Sequence, residues 1–369
     1  MSDGHILIDR DLRRLLGTAV RGAEGATPPA PAQVQPASID LRLGPVAHRV
    51  RAGFLPEHVP IEDRLAELSN SALSLEGDGA VLERGRVYVV RLEEELALPP
   101  LVHGRFNPRS STGRCDVFTR VLVAGHPRFD ETPRGYAGPV WVEIAPLSFP
   151  VRLKRGDRLC QLRLQRGGAA LSTAELRERY AATPLCFVGA DPLDLSEVRF
   201  DDDGALLLRI GLVGRDPCGW RAALNADVVE FAAEGVHDRL DFWEPVHARG
   251  GHCILDPGRF TLFASRERIR VPPDLAAEML PIDVGIGELR NNYAGFFDSG
   301  FGWDDARSTG TPAVLEVRAH DVPFLVEDGQ VFFRLRYFRT EGRPDRLYGE
   351  GRAGASYRGQ DLTLARPFR

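Results

Sequence analysis

Short runs of alternating hydrophobic and polar residues recur along most of this chain. Between residues 80 and 164 they include AVLERG, RVYVVRL, GPVWVEI, VRLKRG and RLCQLRL. Turn-forming residues separate such runs about every ten positions, which is typical of an all-β sandwich or barrel. Helical patterns are short, as in HILIDRDLRRLL near the N-terminus and at residues 172–180, where Ser172 and Glu175 form a capping-box pair. The pattern predicts a mainly β fold with a few short helices.

The pattern of the first half of the chain recurs in the second half. Residues 82–108 align without gaps with residues 255–281, an offset of 173 positions. The same offset places Glu143 on Glu316. Chance similarity between β segments rarely keeps one offset over so long a stretch, so we infer a tandem duplication of one β domain.

The division between the two domains is predicted near the acidic run Asp201–Asp203. Residues 190–204 are the best candidate for a linker, so we predict domains at residues 1–190 and 191–369. A chain of 369 residues is long enough for two domains.

Composition and charge narrow the classes of function. The net charge is −5, so no general surface for polyanions and no nucleic-acid partner are expected. No secretion signal and no apolar run of about 18 residues occur, so no membrane partner is expected. The five cysteines are odd in number and widely spaced, which favours a reducing compartment and a cytoplasmic location.

A basic and hydroxyl-rich cluster, RSSTGR, occupies residues 109–114. It supplies guanidinium groups from Arg109 and Arg114 and hydroxyl groups from Ser110, Ser111 and Thr112. Arginine binds phosphate oxygens bidentately, so the cluster predicts an anion site, with a polar surface turn as the alternative. In the second half, four of these positions carry residues that have neither a guanidinium nor a hydroxyl group. At the offset of 173 they are Ile282, Asp283, Val284 and Gly287. We therefore do not expect a working copy of this site in the second half.

Glu143 is the single carboxylate of the apolar segment VWVEI. Period-two alternation places Glu143 on the same face as Trp141. A carboxyl group against an aromatic ring, partly removed from water, would have a raised pKa suited to proton transfer. An outward-facing strand glutamate is the alternative, which its recurrence as Glu316 does not exclude.

Two further segments carry candidate ligand-binding residues. Asp130 precedes the turn GYAG, where Tyr136 is either a stacking surface for a sugar or base, or packing inside a hairpin. The C-terminal segment LYGEGRAGASYRGQDLTL favours a lid that orders over a nucleotide, with a disordered terminus as the alternative. Its candidate residues are Tyr348, Arg352, Tyr357, Arg358 and Gln360. No zinc site is predicted, because neither the Cys-x-x-Cys nor the His-x-Glu pattern of zinc deaminases occurs.

Together these segments resemble the dCTP deaminases of the dUTPase-like superfamily, in particular their tandem-duplicated bacterial form. The resemblance rests on QPASIDLRLG (35–44), RSSTGR (109–114), Asp130 with GYAG (135–138), and VWVEI (140–144). It implies two tandem β-clip (distorted β-barrel) domains and a homo-oligomer, with a trimer favoured. It also implies zinc-free hydrolysis of dCTP to dUTP and ammonia, feeding dUMP and dTTP synthesis. Mg²⁺ would be carried by the triphosphate, and dTTP is a candidate inhibitor.

The resemblance also implies roles for the candidate residues. Glu143 would activate the water that attacks C4 of the base, while Ser110 and Arg114 would position that water. The substrate-binding residues would be Arg109, Ser111 and Thr112 in the RSSTGR cluster, Asp130 and Tyr136 at the sugar, and the tail residues. A composite site is expected, with chemistry from the first domain and a lid from the second. The family's lysine before the tail tyrosine is replaced here by Ser356.

Two other functions stay open. A dUTP diphosphatase, alone or as an added activity, would direct its water at the α-phosphate and would not need Glu143. A non-catalytic nucleotide-binding protein is the third possibility, and the intact RSSTGR cluster with Glu143 argues against it.

Overall fold

A computed structural model of the chain describes residues 4–281, 289–292, 295–304, 308–319, 321–350, 357 and 359–369. The helices are α1 (Asp9–Leu15), α2 (Ile61–Leu68), α3 (Ser110–Arg114), α4 (Thr173–Ala182) and α5 (Arg239–Phe242), with a 3₁₀ turn at Pro31–Gln33. No helix in these ranges is long and apolar enough to cross a membrane.

The strands are numbered in chain order. Up to residue 188 they are β1 (His5–Ile6), β2 (Val20–Gly22), β3 (Ile39–Leu41), β4 (Leu43–Val50), β5 (Ser69–Ser74), β6 (Ala80–Leu82), β7 (Val87–Ala97), β8 (Val102–Pro108), β9 (Val117–Val123), β10 (Ala137–Pro146), β11 (Val151–Leu153), β12 (Cys160–Arg166) and β13 (Cys186–Val188). The others are β14 (Asp191–Pro192), β15 (Arg199–Phe200), β16 (Leu206–Gly211), β17 (Gly219–Ala222), β18 (Val229–Glu230), β19 (Trp243–Val246), β20 (His252–Leu255), β21 (Phe260–Ile269), β22 (Leu275–Leu280), β23 (Leu289–Asn292), β24 (Phe296–Phe297), β25 (Thr311–Ala319), β26 (Phe324–Glu327) and β27 (Val331–Arg339). The prediction of a mainly β fold with short helices is confirmed.

The chain divides into two compact units, and neither is one continuous segment. The first unit is Met1–Gly168, Asn225–Asp238 and Ala365–Arg369, and the second is Ala169–Leu224 and Arg239–Leu364. The predicted boundary at residue 190 therefore lies inside the second unit. The division comes earlier because Leu171, Leu176 and Tyr180, on and beside α4, are buried in the core of the second unit.

The predicted linker at residues 190–204 also belongs to the second unit. Leu193, Val198 and Phe200 pack against the core of that unit. Its polar appearance in the sequence reflects exposed positions such as Asp202, whereas its apolar side chains are used in packing.

The duplication is visible in the register of the strands. In the first unit, Glu143 of β10 lies opposite Val89 of β7. In the second unit, Glu316 of β25 lies opposite Leu262 of β21. Glu316 and Leu262 lie 173 positions after Glu143 and Val89, the same offset that the sequence repeat shows. The tandem form predicted from the repeat is confirmed.

Helix α3 links two sheets of the first unit. The strand before it, β8, pairs with β12 in one sheet, and the strand after it, β9, pairs with β10 in another. Asp116 ends the turn with a φ of 53°, a left-handed conformation that aspartate tolerates better than most residues. Its carboxylate accepts a hydrogen bond from Ser148 Oγ at 2.6 Å. The RSSTGR cluster is therefore held at the junction of two sheets.

Two segments from the second half of the sequence complete the first unit. Strand β18 pairs in parallel with β11, and Arg152 Nε donates to Glu230 Oε1 at 2.9 Å. Near the C-terminus, the ring centroid of Phe368 lies 6.3 Å from that of Phe149. In the second unit, β20 and β26 are the counterparts of β6 and β11 at the offset of 173, and they form a two-stranded sheet.

Candidate active site

Glu143 lies on a buried face of the sheet formed by β7, β10 and β9. Its residue surface is 2% exposed. Trp141 belongs to the same cluster of buried side chains as Val89, the strand partner of Glu143. Because residues that pair across strands project to one side of the sheet, Trp141 and Glu143 share a face, as the alternation predicts.

Arg120 lies directly opposite Glu143 across the antiparallel pair of β9 and β10. Its Nε and Nη2 atoms donate to Oε1 of Glu143 at 3.0 and 2.5 Å. The guanidinium carbon also lies 3.9 Å from the centre of the Phe129 ring. The sequence analysis missed Arg120, because only the register of the two strands reveals that it faces Glu143.

The second carboxylate oxygen of Glu143 is in a different environment from the first. In the described part of the chain, Oε2 is buried and has no hydrogen-bond partner. A buried acceptor without a partner costs about 1–3 kcal/mol. Groups of this kind are rare in native proteins, and a catalytic role is one of the explanations for them.

The RSSTGR cluster forms α3 and the residue before it. Ser111 and Arg114 are buried, with 5% and 4% of their surfaces exposed, while Ser110 is half-buried. Thr112 is fully buried, and its Oγ1 donates to the carbonyl oxygen of Leu159 at 2.8 Å. Helix α3 packs against β9, the strand that carries Arg120. The cluster is therefore not the exposed polar turn that was the alternative interpretation.

Arg109 links the cluster to the segment at residues 35–44. Its Nε lies 3.2 Å from Oδ1 of Asp40, a carboxylate that is 1% exposed. Arg109 Nη1 also donates to the carbonyl oxygen of Arg158 at 3.4 Å. Two of the sequence segments that carry the resemblance thus meet at this ion pair. Arg109 remains half-buried, with 27% of its side chain exposed.

Asp130 lies near the Arg120–Glu143 pair. Its Oδ1 accepts a hydrogen bond from the backbone N–H of Val121 at 2.8 Å. Burial raises the pKa of the Asp130 carboxyl to about 7, while this hydrogen bond and the charge of Arg120 act in the opposite direction. One guanidinium group therefore acts on two carboxyl groups.

Asp130→Asn is expected to remove part of the pH dependence of stability. The Asp130 pKa is about 7 in the folded chain, against 3.8 for an ordinary aspartate. Between these two pKa values, the Asp130 carboxyl therefore keeps a proton in the folded chain that it has lost in the unfolded chain. The resulting stabilisation is full below the unfolded pKa and is lost as the pH rises towards 7. Urea midpoints at about pH 5 and pH 8 measure this loss, which should be smaller in the variant. Asp78→Asn, at an exposed position, is the control and should behave as the parent chain.

Tyr136 packs inside the turn that precedes β10. Its residue surface is 7% exposed, and its hydroxyl donates to the carbonyl oxygen of Pro139 at 2.7 Å. Burial raises the pKa of this hydroxyl. These contacts match the hairpin-packing interpretation of Tyr136.

The predicted tail residues that the structure describes belong to the second unit. Tyr348 and Tyr357 line a pocket of that unit together with Arg268. Gln360 Nε2 donates to the carbonyl oxygen of Pro312 at 3.2 Å. The remaining predicted tail residues, Arg352 and Arg358, lie outside the described residues, as do Ile282, Asp283, Val284 and Gly287.

Within the described ranges, no group of three or more His, Cys, Asp or Glu side chains is arranged to hold a metal ion. The two carboxyl groups of the site, Glu143 and Asp130, instead lie beside the Arg120 guanidinium.

Fold and site together define a duplicated β protein with a buried carboxylate in the same unit as an arginine- and serine-bearing helix. Comparison with family models identifies the family within this class. The model described as the 2'-deoxycytidine 5'-triphosphate deaminase N-terminal domain matches residues 4–168, and the model of the C-terminal domain matches residues 172–368. The chain belongs to the dCTP deaminase family.

Individual relatives support this assignment. A crystal structure of 2'-deoxycytidine 5'-triphosphate deaminase from Agrobacterium tumefaciens matches with a TM-score of 0.82 and 42% identity, covering 91% of this chain and 99% of that chain. The dCTP deaminase of Natronomonas pharaonis is 32% identical over 159 residues, which are 42% of this chain and 78% of the relative. A dUMP-forming dCTP deaminase of Corynebacterium kroppenstedtii is 31% identical over 160 residues, 43% of this chain and 80% of the relative.

Proposed function

We propose that the chain hydrolyses dCTP to dUTP and ammonia, with Glu143 as the acid–base group. The observation that carries this proposal is the buried Glu143 carboxylate, with one oxygen held by Arg120 and the other without a partner. Membership of the dCTP deaminase family supports dCTP as the substrate.

In the proposed reaction, Glu143 takes a proton from water as the water oxygen bonds to C4 of cytosine. That proton then passes to the 4-amino nitrogen, the carbon–nitrogen bond breaks and ammonia leaves. The remaining hydroxyl proton moves to N3 of the base as the C4 carbonyl forms, so both hydrogens of the water are accounted for. Such a positioned acid–base group contributes about 10²–10⁴ in rate. Ser110 orients the water, and Arg114 stabilises the charge that develops on the base. This electrostatic stabilisation contributes further to the rate.

The substrate's other groups have candidate partners in the first unit. Arg109 and Ser111 bind the triphosphate, which brings its own Mg²⁺ ion, and Asp130 binds the sugar. Thr112 has a supporting role, because its hydroxyl is bonded to Leu159. A trimeric assembly, inhibition by dTTP and a cytoplasmic location remain predictions.

A bifunctional enzyme is the second candidate. It is favoured by relatives whose names include "dUMP-forming", such as the one from Corynebacterium kroppenstedtii. In such an enzyme, the dUTP made by deamination would lose pyrophosphate before the product leaves.

The deciding experiment incubates the chain with dCTP and Mg²⁺ and separates the nucleotide products. Ammonia with dUTP supports deamination alone, and ammonia with dUMP supports the bifunctional enzyme. Release of pyrophosphate from dUTP without ammonia from dCTP supports a diphosphatase. Binding of dCTP without any product would overturn both enzymatic proposals.

A further inference from the structure

We propose that Arg120 and Gly53 are positioning residues for the chemistry of Glu143, a role that rests on the proposed function. Arg120 fixes one oxygen of the carboxylate, and Gly53 keeps the space beside the other oxygen free of a side chain. Neither residue lies in the RSSTGR, GYAG or VWVEI segments.

Arg120 restricts the rotation of the carboxylate. Both of its hydrogen bonds reach Oε1 of Glu143, so a turn of the carboxylate about its last bond would break both. The guanidinium also contacts two rings, with its carbon 5.0 Å from the centre of Phe118 and 3.9 Å from that of Phe129. The direction of Oε2 is therefore set by Arg120.

Arg120 also makes the buried charge tolerable. A carboxylate removed from water is strongly destabilised unless a counter-charge and hydrogen bonds replace its hydration. Glu143 has this replacement on Oε1 only. The pair thus compensates the buried carboxylate at one oxygen while leaving the other oxygen available for a proton.

Gly53 lies in the segment between β4 and α2, next to Oε2. A Cβ atom on residue 53 would lie 2.2 Å from Oε2 of Glu143 and 3.0 Å from Nη2 of Arg120. The φ angle of Gly53 is outside the left-handed region, so glycine is required here for space and not for backbone conformation. The next residue, Phe54, packs against the cluster of Trp141 and Val89, which anchors the segment.

A plain structural pair between β9 and β10 is the competing explanation for Arg120. Loss of a structural pair would lower stability but would leave the kcat of the folded enzyme intact. Loss of a positioning residue lowers kcat while the KM for dCTP changes little. Steady-state kinetics on folded variants therefore separate the two roles.

The first test replaces Arg120 with Gln and with Lys. We expect kcat for dCTP deamination to fall about 10²-fold in Arg120→Gln, the size of loss that follows a misplaced catalytic group. Arg120→Lys should lose less, because an ammonium group keeps the charge but lacks the planar fork. Arg152→Gln is the matched control: it breaks an Arg–Glu bond of 2.9 Å in the same unit and should leave kcat unchanged.

The second test replaces Gly53 with Ala. We expect kcat to fall at least tenfold with KM nearly constant, because the methyl group must displace Oε2 or the segment that carries it. Gly168→Ala is the control, since a Cβ atom there meets nothing within 4 Å. In a Glu143→Gln background, Gly53→Ala should add little, because residues that act as a unit are not additive.

Urea midpoints establish that each variant is folded, and if Arg120→Gln does not fold, Arg120→Lys and Gly53→Ala decide. Unchanged kcat in the folded variants, beside an active parent chain, overturns this inference and leaves the proposed function standing. A parent chain that releases no ammonia from dCTP overturns the proposed function itself.

Discussion

Glu143→Gln is expected to lower kcat for the deamination of dCTP by about 10²–10⁴-fold. The amide has the shape of the carboxylate and can still accept a bond from Arg120. It cannot take a proton from water, so the step that forms the bond to C4 loses its base. Ammonia release from dCTP measures the loss, and the KM should stay close to that of the parent chain.

The same variant distinguishes the two enzymatic candidates. If the chain also converts dUTP to dUMP, that activity should largely survive in Glu143→Gln, because attack on phosphorus does not use this carboxylate. Deamination within tenfold of the parent rate would contradict the role of Glu143.

Arg114→Gln is expected to lower kcat by about 10²–10³-fold, the usual loss when one preorganised donor is removed from a site. Arg114 is 4% exposed and lies on α3, the helix that links the sheet of β8 and β12 to the sheet of β9 and β10. A buried guanidinium in a fixed helix can stabilise developing charge without reorganisation. Single-turnover measurements with dCTP test whether the chemical step is slowed.

Arg109→Gln is the matched comparison, because it removes the same charge at the other end of the cluster. We expect its main effect on the KM for dCTP, together with lower stability from leaving Asp40 buried with a weaker partner. Equal effects of the two variants on kcat and KM would contradict the different roles assigned to them.

Much of the fold follows from the polarity pattern, but the assignment of segments to units does not. The alternating runs and the offset of 173 predict the strands and the duplication. Leu171 and Leu176 are buried in the structure, and the polarity of residues 169–190 does not indicate in which of two cores they lie. Only packing decides that, and it assigns α4 to the second unit.

The candidate site divides in the same way. RSSTGR and Glu143 are recognisable because rare combinations of polar residues stand out locally. Arg120 and Gly53 have no such signal, since one depends on strand register and the other on a distant backbone approaching Glu143. Tyr136 is noticeable in the sequence, but its role is not predictable from it. Its sequence context fits both stacking on a ligand and the hydrogen bond to Pro139.

The completion of the first unit by β18 and Phe368 has a consequence for biosynthesis. A nascent chain that has just exposed Gly168 lacks the strand that covers the edge of β11 and the ring that packs near Phe149. Open strand edges invite pairing with other chains. The first unit therefore reaches its final state only after the second has been translated. The two units must therefore be translated from a single mRNA, and a gene split between them would leave the first unit without β18 and Phe368.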